Sequence, residues 1–345
     1  MNMKRFDRKS LILTIAGIVV AAVALALAYG YARNLEISSY PATEMKGYTS
    51  PANAFARRVA YKDKEYIYKS DITTILFMGI DKTGAPVEEN LLYKYISGGQ
   101  ADFLMLFVID HDERKISRLM IDRDTIVDIT IVGMLGNIMG TRLDRIALSH
   151  GYGVGGQQSA EFTVEAVSKW LMGIGVDYYV AMNLDGIPLL NDSVGGVTVT
   201  LNEDLTQFEP TFEKGATVTL HGEQTVWFVR SRMTIGEGTN EARMVRQRIY
   251  LNALADNIGD KIHADVNWID KLFDALKDAL VSNMSRGRMV NEAYKAMTYE
   301  AGPLYTLPGE HTLEADGFVA FWPDEEALTQ WVLDTFTEEA QVSAK

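Results

Sequence analysis

The clearest pattern in the chain is a series of short apolar runs separated by segments of helical spacing. Residues 73–80 and 102–109 are apolar almost throughout, which is typical of strands that are buried on both faces. Residues 114–121 alternate less cleanly, and we expect this third strand nearer an edge of its sheet. Further strands are predicted over residues 178–182, 197–201 and 318–322.

Apolar residues recur every three or four positions in the segments between and after these runs, which predicts helices. The predicted helices span residues 159–172, 184–194, 222–231, 240–258, 267–282 and 324–336. Strands that alternate with helices indicate an α/β fold, here a layered α/β/α domain around a central mixed sheet.

The N-terminal residues follow a different pattern. Residues 10–30 carry no charge, and a helix of this length spans about 30 Å, the thickness of a bilayer core. Four lysines and arginines, against a single aspartate, precede this run, which predicts a cytoplasmic N-terminus and an outward-facing remainder. A cleaved signal peptide is the alternative, because residues 24–26 read Ala-Leu-Ala, although that pattern falls inside the apolar run.

These patterns divide the chain into five parts. We predict a cytoplasmic tail at 1–9, a transmembrane helix at 10–30, a juxtamembrane stalk at 31–70, a main domain at 71–260 and a C-terminal extension of that domain at 261–345. The end of the stalk has a basic and aromatic patch, which is either solvated or in contact with anionic lipid headgroups.

Composition narrows the function classes. The 345 residues have a formal net charge of -13, so a generic role in coating nucleic acid, which needs a basic face, is not expected. The chain has no cysteine, which excludes disulfides, a thiolate zinc site and a cysteine nucleophile. The five histidines show no spacing typical of a metal site.

Polar residues stand where the predicted strands meet loops. Asp81 closes the first strand, Asp102 opens the second, and Arg123 and Asp124 follow the third. In α/β proteins such positions are where ligands bind, and two converging carboxylates could hold Mg²⁺ together with substrate phosphate oxygens. The alternative is that these aspartates cap loops or pair with nearby arginines.

Arginines are concentrated in one part of this acidic chain. On the predicted helix 240–258, Arg243, Arg246, Gln247 and Tyr250 lie three or four positions apart and therefore share a face. Arginine binds phosphate through two hydrogen bonds at once, so a convergent set would suit a diphosphate. A solvated face paired with glutamates and aspartates is the alternative. The whole cluster consists of Arg230, Arg232, Arg243, Arg246 and Arg248.

Taken in order, these motifs resemble the LytR-CpsA-Psr family. The motifs are Met-Gly-Ile-Asp (78–81), Ala-Asp-Phe-Leu-Met-Leu (101–106), Ile-Asp-Arg-Asp-Thr (121–125), Gly-Gly-Val (195–197), Val-Arg-Ser-Arg (229–232) and Arg-Met-Val-Arg-Gln-Arg (243–248). The resemblance covers roughly residues 70–260 and follows a predicted membrane anchor, as in that family. It departs from the family at Gln100, where an arginine is common, and at Asn240, where an aspartate is usual.

The resemblance implies a membrane-anchored, Mg²⁺-dependent phosphotransferase that moves a glycopolymer, such as teichoic acid or capsular polysaccharide, from a polyprenyl diphosphate carrier to peptidoglycan. It implies an apolar tunnel for the lipid tail and Mg²⁺ on Asp81 and Asp102. A polyprenyl-diphosphate hydrolase and a non-catalytic, lipid-binding cell-wall regulator are the alternatives.

The expected site residues follow from the resemblance and from the arginine cluster. Arg123, Asp124 and Asp102 are the expected catalytic residues, with Asp124 either orienting Arg123 or acting as the base. The residues expected to contact the diphosphate are Arg123, Arg230, Arg232, Arg243, Arg246 and Gln247.

Overall fold

A computed structural model describes residues 58–84, 98–133, 136–231, 239–265 and 268–340. The predicted cytoplasmic tail, the predicted transmembrane helix and most of the predicted stalk lie outside these residues. Within these ranges, no helix combines the length and the apolar character needed to cross a membrane.

The described residues form fifteen strands and eight α-helices. The strands are β1 Arg58–Tyr61, β2 Lys64–Tyr68, β3 Ile72–Ile80, β4 Ala101–Asp110, β5 Lys115–Ile121, β6 Ile126–Val132, β7 Ile138–Arg145, β8 Tyr178–Asn183, β9 Val197–Thr200, β10 Thr217–Leu220, β11 Leu280–Ser282, β12 Glu300–Thr306, β13 Gly309–Leu313, β14 Val319–Pro323 and β15 Thr337–Glu339. The helices are α1 Leu148–Gly151, α2 Gly156–Trp170, α3 Gly186–Ser193, α4 Glu223–Arg230, α5 Asn240–Ala264, α6 Trp268–Leu276, α7 Arg286–Met297 and α8 Glu325–Phe336.

Six strands form the central sheet, in the order β11-β8-β3-β4-β5-β12. β3 pairs with β4 and β4 pairs with β5 in antiparallel fashion, whereas β8 runs parallel to β3 and β12 runs parallel to β5. The sheet is therefore mixed, which confirms the predicted fold class. The other strands form the small sheets β1-β2-β15, β9-β10, β6-β7 and β13-β14.

Apolar side chains on both faces of the central sheet account for the layered arrangement. In β3, Ile75 and Phe77 lie in one core with helices α3, α4, α5 and α6. Leu76 and Met78, which point the other way, lie in a second core with α2 and α8. Successive side chains of a strand point to opposite faces, so a strand covered by helices on both sides must be apolar throughout.

Most predicted elements are present, with boundaries shifted by a few residues. The predicted helix 267–282 is shorter than expected, because α6 ends at Leu276 and residues 280–282 form β11. β11 pairs antiparallel with β8, a strand that is distant in sequence. This tertiary pairing overrides the local spacing of residues 280–282, which favours a helix. β5 lies one strand from the edge, because β12 covers it.

Residues at the end of the predicted stalk are part of a folded sheet. β1 and β2 form a hairpin with Tyr61 opposite Lys64, and β15 from the C-terminal part adds to β2. The two turn residues, Lys62 and Asp63, have φ angles of 45° and 64°, as a type I′ hairpin turn requires.

Residues 98–100, which lead directly into β4, pack against α1 and α2. Residue 98 has no room for a side chain, because a Cβ on Gly98 would lie 2.2 Å from the His150 carbonyl oxygen and 2.3 Å from Ser159 Oγ. His150 Nδ1 donates to the Gly99 carbonyl oxygen at 3.1 Å. The contact requires the tautomer with its proton on Nδ1.

Acid should destabilise the protein through His150. Burial lowers the pKa of His150 to about 4, so between pH 6.5 and 4 the unfolded chain binds a proton there that the folded chain does not. Stability is therefore lost as the pH falls through this window, by about 2–4 kcal/mol. His150→Asn keeps a donor without a titrating group, so urea unfolding at pH 7.5 and 4.5 should show a smaller acid loss. Equal losses in the wild type and the variant would contradict this assignment.

Candidate active site

The two predicted metal-binding aspartates lie side by side at the ends of two central strands, along the side of the sheet that we call the sheet edge. Asp81 follows the last residue of β3, and Asp102 is the second residue of β4. β3 and β4 are antiparallel, so the end of one lies beside the start of the other. The backbone amides of Asp81 and Asp102 both donate to the Gln100 carbonyl oxygen, at 3.0 and 3.1 Å.

Asp102 joins two arginines from different layers of the fold. Its Oδ1 accepts a hydrogen bond from Arg123 Nη1, just after β5, and its Oδ2 accepts from Arg243 Nη1 on α5 at 3.0 Å. Arg123 also donates to the Gln100 side-chain oxygen at 2.5 Å and pairs with Asp124 Oδ1 at 3.3 Å through Nε. One carboxylate thus fixes the positions of two guanidinium groups at the sheet edge.

Asn240 extends this network to the other side of Arg243. Its side-chain oxygen accepts from Arg243 Nη2 at 2.6 Å, and its amide nitrogen donates to Asp122 Oδ1 at 2.6 Å. Asp122 Oδ2 pairs with His311 Nε2 at 3.0 Å, and this bond is the main reason why the pKa of His311 is raised. An amide can serve a donor and an acceptor at once, which a carboxylate at position 240 could not do.

The N-cap of α5 fixes the position of Asn240 and Arg243 in the first turn of the helix. Thr239 is the N-cap residue, with extended backbone angles, and its side-chain oxygen accepts a hydrogen bond from the Ala242 amide at 3.1 Å. This bond satisfies an amide that has no partner within the helix. The first turn of α5 is therefore held where both residues meet the sheet edge.

Asp81 is the carboxylate whose charge the folded protein tolerates least. Burial raises the pKa of Asp81, and the neighbouring Asp102 raises it further. The Gln100 amide, which donates to Asp81 Oδ1 at 2.5 Å, and the charges of Arg123 and Arg230 oppose that shift. The net direction is upward, so ionised Asp81 is under-compensated in this arrangement.

A narrow, mostly apolar cavity of about 90 Å³ extends from these polar groups into the core. Asp81, Asp102, Arg230 and Arg243 line it at the sheet edge. Its remaining lining is largely aliphatic and aromatic, from β3, β4, β8, α3, α4 and α5, and includes Phe77, Phe103, Met182, Ile187, Leu190, Tyr250, Leu251 and Leu254. The site therefore combines an apolar chamber with charged groups at one end.

Only some of the other predicted phosphate-binding residues line the cavity. Gln247 lines the cavity and donates to the Val229 carbonyl oxygen at 3.2 Å, and Arg230 lies at its exposed end. Arg246 points elsewhere: its guanidinium is buried against Glu203 and the carbonyl oxygens of α4 and Ser231. Arg232 lies outside the described residues.

The carboxylates at this site fit a magnesium ion whose remaining ligands are water or phosphate oxygens. Among the described residues, no group of three or more acidic or histidine side chains could enclose a metal. Mg²⁺ is commonly held by one or two carboxylates, with water and phosphate oxygens as its other ligands. Asp81 and Asp102 supply two such carboxylates, and the raised pKa of Asp81 indicates a site where an added positive charge would be favourable.

Four residues of the network were not predicted as site residues, namely Gln100, Asn240, Asp122 and His311. Gln100 and Asn240 stood out in the sequence only as departures from a family pattern, yet the structure places both in contact with the arginines. Asp122 precedes Arg123 and was not singled out. Its neighbours Asn240 and His311 are far away in sequence, so no local signal indicated it.

Comparison with known proteins gives consistent similarities. The LytR_cpsA_psr family model matches residues 42–332. A Bacillus cereus (strain AH820) protein named polyisoprenyl-teichoic acid–peptidoglycan teichoic acid transferase TagU is 27% identical over 263 residues, covering 75% of this chain and 77% of the relative.

Solved structures share the fold. Protein gbs0355 from Streptococcus agalactiae aligns with a TM-score of 0.61 at 20% identity, over 79% of this chain and 92% of that one. TagT bound to LI-WTA aligns with a TM-score of 0.58 at 20% identity, over 84% of this chain and 96% of that one.

Replacing Asp81 should stabilise the protein while removing a predicted metal ligand. Because the folded state raises the pKa of Asp81, its charge opposes folding once the pH exceeds its unfolded value. Asp81→Asn keeps the acceptor for the Gln100 amide, so in EDTA at pH 7 we expect a gain below about 1 kcal/mol, because solvent screens this partly exposed carboxyl group. Added Mg²⁺ should raise the thermal midpoint of the wild type but not of the variant. Asp71→Asn, at an exposed position, is the control; a less stable Asp81→Asn protein would refute the prediction.

Introducing an acidic residue at position 240 should lower the stability of this chain. Asn240→Asp would set a second carboxylate against Asp122 and remove the donor between them, which costs about 1–3 kcal/mol. The deficit should grow as the pH rises and shrink near pH 5, where one of the two acids can hold a proton. Urea unfolding at pH 5 and 8 measures it, with Asn252→Asp on the exposed face of α5 as the matched control. A deficit that does not depend on pH would argue against this pairing.

Proposed function

The chain belongs to the LytR-CpsA-Psr family, and we propose that it transfers a glycopolymer from a polyprenyl diphosphate carrier to peptidoglycan. The observation that carries this proposal is the apolar cavity that opens onto two aspartates and two arginines. A polyprenyl diphosphate has the same two-part character, with an apolar chain joined to a compact anion. The names of relatives support the same reaction class, since TagU proteins are named teichoic acid–peptidoglycan transferases.

The arginines account for recognition of the diphosphate. Arg243 and Arg230 line the cavity together with Asp102, and Arg123 is held next to that lining by its ion pair with Asp102. Fixed guanidinium groups stabilise charge that spreads over phosphate oxygens during transfer, and they need no rearrangement at that moment. Asp124, buried against Arg123, is a positioning residue in this proposal.

The proposed reaction is an in-line transfer at phosphorus. A hydroxyl of the acceptor glycan attacks the sugar-proximal phosphorus, and the bond from that phosphorus to the bridging oxygen of the diphosphate breaks. The proton of the hydroxyl passes to water, and polyprenyl phosphate leaves along the apolar cavity. Asp81 and Asp102 would hold Mg²⁺, which when bound neutralises charge on the diphosphate. Gln247 and Tyr250 line the apolar cavity along which the polyprenyl phosphate would leave.

Location at a membrane surface is part of the same proposal. Residues 10–30 would anchor the chain, with the catalytic domain outside the cytoplasm. A carrier lipid in the same membrane would then meet the enzyme at a raised effective concentration. The partners are therefore the lipid-linked glycopolymer, peptidoglycan and the membrane, and nucleic acid is not among them.

The test uses the full-length protein in detergent, with a short-chain polyprenyl-diphosphate glycan as donor and a peptidoglycan oligosaccharide as acceptor. We expect Mg²⁺-dependent release of polyprenyl phosphate coupled to glycan transfer. Arg123→Ala should lower kcat/KM by about 10²–10³, as for the loss of other transition-state donors. Arg142→Ala removes an exposed arginine on β7 and should behave like the wild type.

Two results would overturn the proposal. One is the absence of Mg²⁺-dependent release in the wild type, and the other is an Arg123→Ala rate equal to the wild-type rate. Release that proceeds equally well without acceptor, with water as the only nucleophile, would instead identify a hydrolase.

A further inference from the structure

A chain of hydrogen bonds runs from Arg243 in the candidate active site to the partly exposed His311. Arg243 donates to the Asn240 side-chain oxygen at 2.6 Å, and the Asn240 side-chain amide donates to Asp122 Oδ1 at 2.6 Å. Asp122 Oδ2 lies 3.0 Å from His311 Nε2. These bonds connect a guanidinium group that lines the apolar cavity with an imidazole ring on β13.

The two ends of this chain differ in their access to water. Arg243, Asn240 and Asp122 are only 3%, 6% and 7% exposed, whereas the side chain of His311 is 34% exposed. His311 lines a second cavity of about 360 Å³, which lies on the other face of α5 from the apolar cavity. A proton can therefore reach His311 from solvent without passing through the candidate active site.

The β13–β14 hairpin holds His311 in place. His311 stands opposite Phe321, and the centroids of the two rings are 4.7 Å apart. The Phe321 amide donates to the Asp124 carbonyl oxygen at 2.7 Å, and the Asp124 amide donates to Asp122 Oδ1 at 2.8 Å. Both members of the Asp122–His311 pair are therefore fixed against the segment that carries Arg123.

The order of donors and acceptors allows the Asn240 amide a single orientation. A guanidinium group only donates hydrogen bonds and an ionised carboxylate only accepts them. The Asn240 oxygen must therefore face Arg243, and its nitrogen must face Asp122. A positive charge on His311 strengthens this arrangement, because a charged donor makes a stronger hydrogen bond to Asp122 than a neutral donor does.

The charge on His311 also changes the electrostatic balance of the site. Asp102 and Arg243 carry opposite charges, as do Asp122 and protonated His311. Loss of the histidine proton leaves these four side chains with one net negative charge, close to the position proposed for the diphosphate. An anion binds less tightly beside added negative charge.

The groups around His311 favour its protonated form. The other charged residues that line the second cavity are Asp122, Glu241 and Arg248. The hydrogen bond to Asp122 is the main reason why the pKa of His311 is raised, and the charges of Glu241 and Asp124 act in the same direction, against the effect of burial. The pKa of His311 therefore lies above its ordinary value of 6.5.

We propose that protonated His311 is a positioning residue, which holds Arg243 ready for the diphosphate; this inference rests on the proposed function. Asp122 and Asn240 transmit its effect. Deprotonation weakens the bond to Asp122 and adds negative charge to the site, so both effects lower the affinity for the diphosphate as the pH rises. The candidate active site then responds to pH through a residue that lies outside the apolar cavity.

Farnesyl diphosphate is a suitable probe, because it joins an apolar chain to a diphosphate and carries no glycan. It is titrated calorimetrically into the full-length protein in detergent with Mg²⁺, at pH 6 and pH 9. The ionisation of the probe is common to all variants, so the ratio of the wild-type affinity to a variant's affinity isolates the effect of the histidine.

Variants at position 311 separate charge from shape. His311→Gln keeps an N–H donor without a charge, so the wild type should bind about threefold to tenfold more tightly than this variant at pH 6 and equally at pH 9. His311→Lys stays charged at both pH values and should bind more tightly than the wild type at pH 9. His221→Gln, which replaces an exposed histidine 3.9 Å from Asp192, should behave like the wild type. Urea unfolding at both pH values checks that each variant is folded.

The inference is overturned if His311→Gln binds the probe as tightly as the wild type at pH 6. It is also overturned if the affinity of His311→Lys falls between pH 6 and pH 9 as much as that of the wild type. Glycan transfer is measured in parallel. The expected binding pattern without any transfer would count against the transferase proposal but not against the positioning role. Transfer with the same pH profile of kcat/KM in the wild type and in His311→Gln would count against the positioning role alone.

Discussion

The carboxylate of Asp102 is the constraint on which the site depends. It accepts hydrogen bonds from Arg123 beside the sheet and from Arg243 on α5, so a single side chain links two layers of the fold. A partly buried carboxylate needs such partners, and partly buried arginines need acceptors in return. Removing Asp102 takes away the carboxylate that the two guanidinium groups share, and removing either arginine leaves Asp102 with a single charged partner. The position of α5 over the sheet edge is therefore tied to the electrostatics of the site.

The same arrangement leaves Asp81 less well compensated than Asp102. Both bonds from Arg123 and Arg243 go to Asp102, while Asp81 has a backbone amide and only longer-range attraction from Arg123 and Arg230. The site thus holds a carboxylate whose charge is unfavourable on its own and which the proposed Mg²⁺ would compensate. Sites that are set up for a ligand commonly carry such a cost, and the rest of the fold offsets it. Here two extensive apolar cores on either face of the sheet supply that stability.

Local pattern was sufficient for the elements that build the site but not for its contacts. The apolar runs before Asp81 and after Asp102 predicted β3 and β4 to within two residues, because strands buried on both faces are apolar throughout. From their spacing on α5, Arg243 and Arg246 were equally good candidates for the site. The difference lies in the packing of α4, whose backbone carbonyl oxygen accepts from Arg246 and turns that side chain away from the cavity. Asp122, Asn240 and His311 meet only in the folded chain, so periodicity could not join them.

The internal pairing of the arginines also explains how an acidic protein can select one kind of anion. With a net charge of -13, the chain does not attract polyanions in general, and Asp102 already neutralises much of the charge on Arg123 and Arg243. An anion must therefore compete with a carboxylate that is already in place, and a simple phosphate gains little by doing so. A ligand that also fills the apolar cavity gains free energy from burial, roughly 25 cal/mol for each Å² of apolar surface removed from water. In the proposed function, selectivity then follows from occupying both regions at once, because an anion without an apolar chain gains only the first contribution and an apolar molecule gains only the second.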